Sequence, residues 1–350
     1  IAAFGLNRVH WALMLAAFIV GIPMVYSVGF VILIPIVFTM AAATGLPLIF
    51  IGIPVLASLS VTHGLLPPHP APTALVDMFG ADMGRTMMLG ILVAIPTILV
   101  AGPLLAPRFK KIKATPLKDF TGKKDIPEDQ LPSTLLSLLA ALMPVLLIGL
   151  SAIISPFLDP SGLLHAVVNG AGNPVMAMLL SLLFALFALS LRNGKKMAPV
   201  MKDLAQSVSS IAMILLIIAG AGGLKSVLVA SGISDYLGEL LRQSGASPLL
   251  LAWLIAAAIR VSVGSATVAA LTAASIVLPL VSDPAVSPEL MVLAIGSGSL
   301  VLSHVNDGGF WLFKEYFNLT VKQTLATWTV METIIGVTGL AAVLILNIFI

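Results

Sequence analysis

The sequence predicts an all-α polytopic membrane protein built as two inverted repeats, with broken helices and re-entrant hairpins. Three observations lead there. Hydrophobic residues make up 59% of the 350-residue chain and charged residues only 9%, with a mean hydropathy of +1.11. A soluble domain carries about 25% charged residues, so this chain has too few to clothe a water-facing surface. Two long apolar runs are interrupted at membrane depth, at 61–86 (VTHGLLPPHPAPTALVDMFGADMGRT) and 296–324 (GSGSLVLSHVNDGGFWLFKEYFNLTVKQT). Basic residues cluster in a few loops, with a Lys- and Arg-free loop between the two richest.

The first interruption carries Gly64, Pro67, Pro68, Pro70 and Pro72, with two histidines among them. Proline lacks a backbone donor and collides with the preceding turn, so no helix runs through LLPPHPAP. In lipid, freed backbone groups are tolerated only when buried in protein or lining a watery cavity. The break therefore points to a ligand site. In the second interruption Ser303-His304 lines up with Thr62-His63, and Gln323-Thr324 with Arg85-Thr86. Upstream, Val261-Ser262-Val263-Gly264 matches Tyr26-Ser27-Val28-Gly29. Interrupted apolar segments at corresponding places in two halves are the sequence mark of a secondary transporter with inverted repeats.

In chain order, residues 10–43 are apolar but hold Gly21, Pro23, Ser27, Gly29 and Pro35. They read as a helix, a kink or hairpin tip near 23–29, and a second helix. A span needs about 20 apolar residues, so this run holds one tilted helix and a re-entrant half. A helix over 46–62 enters the first break, and a span covers 87–105. The stretch 107–132 holds 11 of the 33 charged residues, among them Arg108, Lys110, Lys111, Lys113, Lys118, Lys123 and Lys124. Spans follow over 133–155 and 174–191. The loop between them, 156–173, has no Lys or Arg, whereas 192–203 has four (Arg192, Lys195, Lys196, Lys202). Short Lys- and Arg-rich loops stay in the cytoplasm, so this alternation places 107–132 and 192–203 there.

A further span over 205–222 ends at the glycine cluster from Gly220. Residues 224–245 read as an amphipathic helix at the interface or as a solvated connector. Residues 248–281 repeat the 10–43 element, Asp283-Pro284 turns the chain, and 288–350 hold the second break and a terminal span. The chain thus divides into an N-terminal repeat (1–106), a basic cytoplasmic linker (107–132) and a C-terminal repeat (133–350). Three spans precede the repeated element in the second half and none in the first. The N-terminal repeat therefore reads as truncated by two or three spans, and the chain as a fragment.

Arg260 stands in LLLAWLIAAAIRVSVGSATVAALTAAS with no acidic residue within a turn. Such an arginine costs ~2.5–3.5 kcal/mol on insertion scales. It serves either as a guanidinium that grips a substrate carboxylate bidentately, or it snorkels or pairs with a distant carboxylate such as Asp307. Gly264, Ser265 and Thr267 follow directly as polar, close-approach positions and favour the first reading. His63 and His304 flank the two breaks, as proton carriers or donors to a hydroxyl-rich ligand, or as caps on broken helices. Asp307 is the acid best placed for coupled protonation, with Asn306 suited to a polyol. Alternatively Asn306 and Asp307 cap a turn.

Ser58, Ser60, Thr62, Thr73, Ser297, Ser299 and Ser303 each bind a hydroxyl or satisfy their own helix. Asp82 and Arg85 look interfacial, Lys314 and Glu315 fall at a wet end, and Glu332 pairs within the bundle. No metal site is expected, because no carboxylate sits at ligand spacing from His63 and His69. The absence of cysteine excludes disulfides and thiolate sites.

The segments SVTHGLLPPHPAPTA, ADMGRT, RVSVGSATVAALTA, SPELMVLAIGSGSLVLSHVNDGGFWLFKEYFNLT and METIIG resemble the gluconate permease family. That family comprises gluconate:proton symporters and their D-serine and hydroxy-acid relatives, and the resemblance spans nearly the whole chain. It implies proton-coupled uptake of a small hydroxylated carboxylate across a bacterial inner membrane, on an ion-transporter-type fold. There are two departures. The first hairpin tip has Ser27 where the family often has an acid, and the second motif reads Asn306-Asp307-Gly308-Gly309 rather than Asn-Asp-Pro-Gly. With Ser27 at the tip, Asp307 is the carboxylate left to carry the proton.

The expected substrate site is therefore Arg260, Ser265, Thr267, His63, His304, Asn306, Thr62 and Ser303, with Asp307 coupling. The expected partners are a small anionic hydroxy acid and the lipid bilayer, with no nucleic acid and no cofactor beyond the proton. A homo-oligomer is left open. A passive anion channel is the rival class, but no pore-lining ring of charge or carbonyls repeats. An intramembrane enzyme using His63 or His304 is the other, and no Gly-x-Ser-x-Gly elbow is present.

Overall fold

The computed structural model describes residues 8–115, 133–191, 196–232, 246–282 and 285–350, and among them there is no strand. The chain opens with a helical hairpin, α1 (Val9–Gly21) and α2 (Tyr26–Thr44), turned at the expected place around Pro23. α2 ends at Gly45, whose φ of 68° is left-handed. Next comes α3 (Leu48–Leu65), which stops where the prolines begin. Leu66 is extended (φ −105°, ψ 128°), because the ring of a following proline excludes the helical region. α4 (Pro70–Phe79) restarts with a proline at its first turn, where a missing N–H is harmless. The Asp82 carboxylate caps α5 (Met83–Leu99), accepting from the Arg85 amide at 2.6 Å.

The middle of the chain is less deeply packed. α6 (Thr134–Ile154) lies against α5 and precedes α7 (Leu163–Gly172) and α8 (Pro174–Ala185). The expected loop 156–173 thus contains α7, which makes a 73° bend with the helix after it. Asn173 accepts from the amides of Val175 and Met176 at that corner and starts the new helix. α9 (Met197–Ala230) continues for 34 residues through the glycine cluster at which the span was expected to end. A mid-helix glycine costs about 1 kcal/mol, which weakens a helix without stopping it. The remainder of the proposed amphipathic element (233–245) lies outside the described residues. So do 116–132, 192–195 and Asp283-Pro284.

The last third repeats the order of the first. α10 (Pro248–Val263) and α11 (Ala266–Val277) form a hairpin about Gly264 (φ 82°), with Ser265 capping α11. α12 (Pro288–Gly298) is the second interrupted helix, followed by α13 (Gly308–Tyr316), which Asp307 caps. α14 (Val321–Leu346) closes the chain, with a π-helical turn at Leu325–Thr329. Two aligned dipeptides fall at the same place in their helices. The Arg85 amide donates to Asp82 and the Gln323 amide to Thr320, each three residues after the cap. The other two alignments do not hold as geometry: Tyr26-Ser27-Val28-Gly29 opens α2, whereas Val261-Ser262-Val263-Gly264 ends α10. Thr62-His63 occupy the last turn of α3, whereas Ser303-His304 lie in the open break, beyond the end of α12 at Gly298. α12 ends early because the Ser299 hydroxyl bonds back to the Gly296 carbonyl at 2.7 Å and Leu302 takes a positive φ of 51°.

Four described helical segments are long and apolar enough to cross a membrane: Tyr26–Thr44, Leu48–Phe79, Met83–Phe109 and Val321–Leu346. The bent pair Leu163–Gly172 and Val175–Leu191 makes a fifth if it is one span. α3 is the centre, with α1, α2, α5, α12 and α14 around it. A helix apolar on all sides belongs inside a protein or a bilayer, and α3 buries 17 of its 18 residues; the exception is His63. α3 and α12 touch backbone to backbone. A Cβ on Gly296 would stand 2.3 Å from the Gly64 carbonyl oxygen, so the crossing accepts only glycine there.

Candidate binding site

The two breaks and the two hairpin tips converge on a cavity of about 310 Å³. Tyr26 reaches it from the first tip, Ser60 and His63 from α3, and Arg260 from the end of α10. The second tip supplies Gly264, Ser265 and Thr267, the second break Asn306 and Asp307, and α14 Trp328 and Glu332. Ser60 and His63 are three residues apart and Trp328 and Glu332 four, so each pair shares one helix face.

Arg260 is 2% exposed and donates through Nη2 to the Asp307 carboxylate at 2.6 Å. Its Nη1 donates to the Gly264 carbonyl. Its Nε is buried without a partner. Nε and Nη2 form one edge of the guanidinium, the edge that meets a carboxylate with two parallel hydrogen bonds. Asp307 uses half of that edge. The other Asp307 oxygen accepts from the Gly309 amide at 3.0 Å, capping α13. The Tyr26 hydroxyl is the second buried polar atom at this cavity without a partner. Buried polar groups are nearly always paired, so two orphans in one cavity mark a place shaped for something else.

A second carboxylate faces the same space. Glu332 is 1% exposed and accepts from the Ser60 hydroxyl at 2.5 Å, joining residues 272 apart in the chain. This is the pairing within the bundle that the sequence suggested for Glu332, with a serine as its partner. Asn306 anchors the second break to the hairpin, donating from Nδ2 to the Val261 carbonyl at 2.9 Å. Gly264 allows the close fit: a Cβ there would lie 2.2 Å from the Asn306 carbonyl oxygen.

Of the expected residues, Arg260, Ser265, Thr267, His63, Asn306 and Asp307 line the cavity. Ser303 stands one layer behind, donating to Asp307 and accepting from the Trp328 indole at 2.7 Å. The structure does not bring Thr62 or His304 to the cavity. Thr62 is fully buried and its hydroxyl bonds to the Leu59 carbonyl of its own helix. Adjacent helical positions point about 100° apart, so Thr62 and His63 cannot face the same space. The His304 Nδ1 accepts from the Asn306 amide at 3.4 Å, tying down the break from within. Tyr26, Trp328 and Glu332 were not among the expected site residues, and Ser60 was named only as a hydroxyl that binds a ligand or satisfies its own helix. The usable signal was polar or aromatic side chains at helical spacing in apolar runs, above all a lone acid in a terminal span. Among the described residues, no group of three or more His, Cys, Asp or Glu converges as a metal site would.

Broken helices around a small polar cavity, inside a multi-pass helical bundle, define a membrane transporter rather than an enzyme. The comparisons with known proteins name the family. A family model described as GntP family permease matches residues 1–349, and the chain belongs to that family. A high-affinity gluconate transporter of Escherichia coli (strain K12) is 47% identical, over 100% of this chain and 80% of its own length. An L-idonate transporter of the Gnt-II system from the same strain is 45% identical over 99% of this chain and 79% of its own. A gluconate permease of Bacillus subtilis (strain 168) is 42% identical over 99% and 79%. The crystal structure of the YdaH transporter of Alcanivorax borkumensis superposes with a TM-score of 0.67, covering 98% of this chain and 78% of that one. At 16% identity that likeness concerns the fold.

Proposed function

We propose that this permease is a proton-coupled symporter that imports gluconate or a closely related hydroxylated carboxylate across a bacterial inner membrane. The half-used guanidinium edge of Arg260 carries the reading. A substrate carboxylate on both Nε and Nη2 makes two charge-assisted hydrogen bonds where Asp307 makes one, and it displaces Asp307 from the arginine. A displaced carboxylate beside a bound anion is costly, and a proton on Asp307 removes that cost. Proton and substrate then favour each other's binding, reciprocally. The relatives named for gluconate and L-idonate support a sugar acid as the ligand, and their bacterial origin supports the inner membrane.

Reconstitution into liposomes tests this. With an inward proton gradient, labelled gluconate should accumulate above its outside concentration, and a protonophore should abolish accumulation. L-Idonate should compete well, with glycerate and D-serine as weaker competitors. Equilibration without accumulation would make the protein a passive pathway. Uptake that ignores every sugar acid but takes D-serine would move the substrate class.

A further inference from the structure

The two histidines of the first break are hydrogen-bonded ring to ring. His63 Nδ1 and His69 Nδ1 are 3.3 Å apart, with the rings at 87°. The Nε2 of His69 lies 2.9 Å from the Gly21 carbonyl oxygen, at the end of α1. A carbonyl only accepts, so the hydrogen of His69 is on Nε2. A neutral imidazole has one N–H, and its other nitrogen accepts. No carboxylate stands within ion-pair distance of either ring among the described residues, and a buried ring held in no ion pair stays neutral. His69 Nδ1 is therefore bare and takes its hydrogen bond from His63 Nδ1–H. That leaves the Nε2 of His63 as a lone pair. His63 lines the cavity, and with Nδ1 engaged by His69, Nε2 is the nitrogen left to meet a ligand.

We propose that His63 is a hydroxyl reader: its Nε2 accepts the proton of a substrate O–H, in a tautomer set by the Gly21 carbonyl through His69. The inference rests on the transport reading above and narrows it. Arg260 offers only donors and takes the carboxylate; His63 offers only an acceptor and takes a hydroxyl. A bare ring nitrogen cannot donate to a carboxylate, so the substrate is oriented with its hydroxylated chain toward α3. A carboxylate lacking that hydroxyl leaves the nitrogen without a ligand partner, a stronger penalty than a lost methylene. His69 does not line the cavity and acts as a positioning residue.

Two measurements decide it. Histidine-selective 15N labelling of the wild-type protein in lipid, read by solid-state NMR, should show His63 protonated at Nδ1 and His69 at Nε2, with gluconate shifting the His63 Nε2 signal. His69→Gln supplies the same acceptor and donor and should keep the His63 tautomer, whereas His69→Phe should release it. In binding assays on a panel of monodeoxygluconates, His63→Phe should weaken gluconate by about tenfold or more, yet leave one deoxy analogue unaffected. Arg260→Ala should weaken all alike. A His63 protonated at Nε2, or an unchanged ranking of the analogues in His63→Phe, overturns the inference and leaves the transport reading intact. Should the wild-type protein bind no sugar acid, both fall.

Discussion

Arg260 on α10 and Asp307 at the start of α13 meet through a single guanidinium nitrogen, at 2.6 Å, while the neighbouring Nε stays unpaired. An ion pair that leaves half an edge unused invites exchange for a ligand that uses all of it.

Arg260→Lys keeps the charge and loses the planar fork; Arg260→Ala loses both. Equilibrium binding of gluconate to purified protein should weaken about tenfold or more for the lysine variant and roughly 100-fold or more for alanine, since charge-assisted hydrogen bonds contribute about 1.5–3 kcal/mol each. Wild-type affinity in Arg260→Ala would remove the anchor role.

Asp307→Asn mimics the protonated acid. It should bind and exchange gluconate with little pH dependence, where the wild type binds tighter as pH falls. It should also lose accumulation driven by a pH gradient. Glu332→Gln can still accept from Ser60 and should retain coupled accumulation. The reverse pattern in proteoliposome uptake would move the proton to Glu332.

Gly296→Ala drives a methyl into the Gly64 carbonyl. Backbone must move, and overpacking of this kind costs about 1–3 kcal/mol. Thermal unfolding in detergent should show a clear drop in Tm. Gly170→Ala is the control, because nothing stands within 4 Å of that added Cβ. Equal behaviour of the two would show that the helix crossing tolerates separation.

The chain has no cysteine, so single cysteines can be placed without background. Lys113→Cys and Lys196→Cys should react with impermeant reagents only from the cytoplasmic face, and Ser161→Cys only from the opposite one. All three positions are exposed. Labelling of Ser161→Cys and Lys196→Cys from the same side would contradict the inverted-repeat arrangement.

The breaks, both hairpin turns and the Arg260 end of the cavity were legible in the sequence, because proline, glycine and a buried charge act locally. The α3 and α14 face of the cavity was not. Ser60 and Glu332 become neighbours only when helices 272 residues apart pack together, and periodicity within one apolar helix does not say which face meets which partner. The same limit misplaced Thr62: being next to His63 in sequence turns its side chain away from His63 on the helix. His304 was misread for a different reason. Repeat alignment equates residues, but α12 ends at Gly298 and α3 at Leu65, so matched letters sit on unmatched backbone.

The glycine contact between the broken helices also governs how this molecule can move. With no side chain between the Gly64 carbonyl and Gly296, sliding α12 along α3 would push that carbonyl into chain that has a Cβ. Turning about the contact keeps the two glycines together and asks only the flexible ends of Leu300 and Leu65 to give. Such a crossing suits a pivot better than a slide, and His63, next to Gly64, sits close to the contact. A rocking motion would therefore carry the outer ends of the helices through wide arcs while the cargo at the centre scarcely shifts.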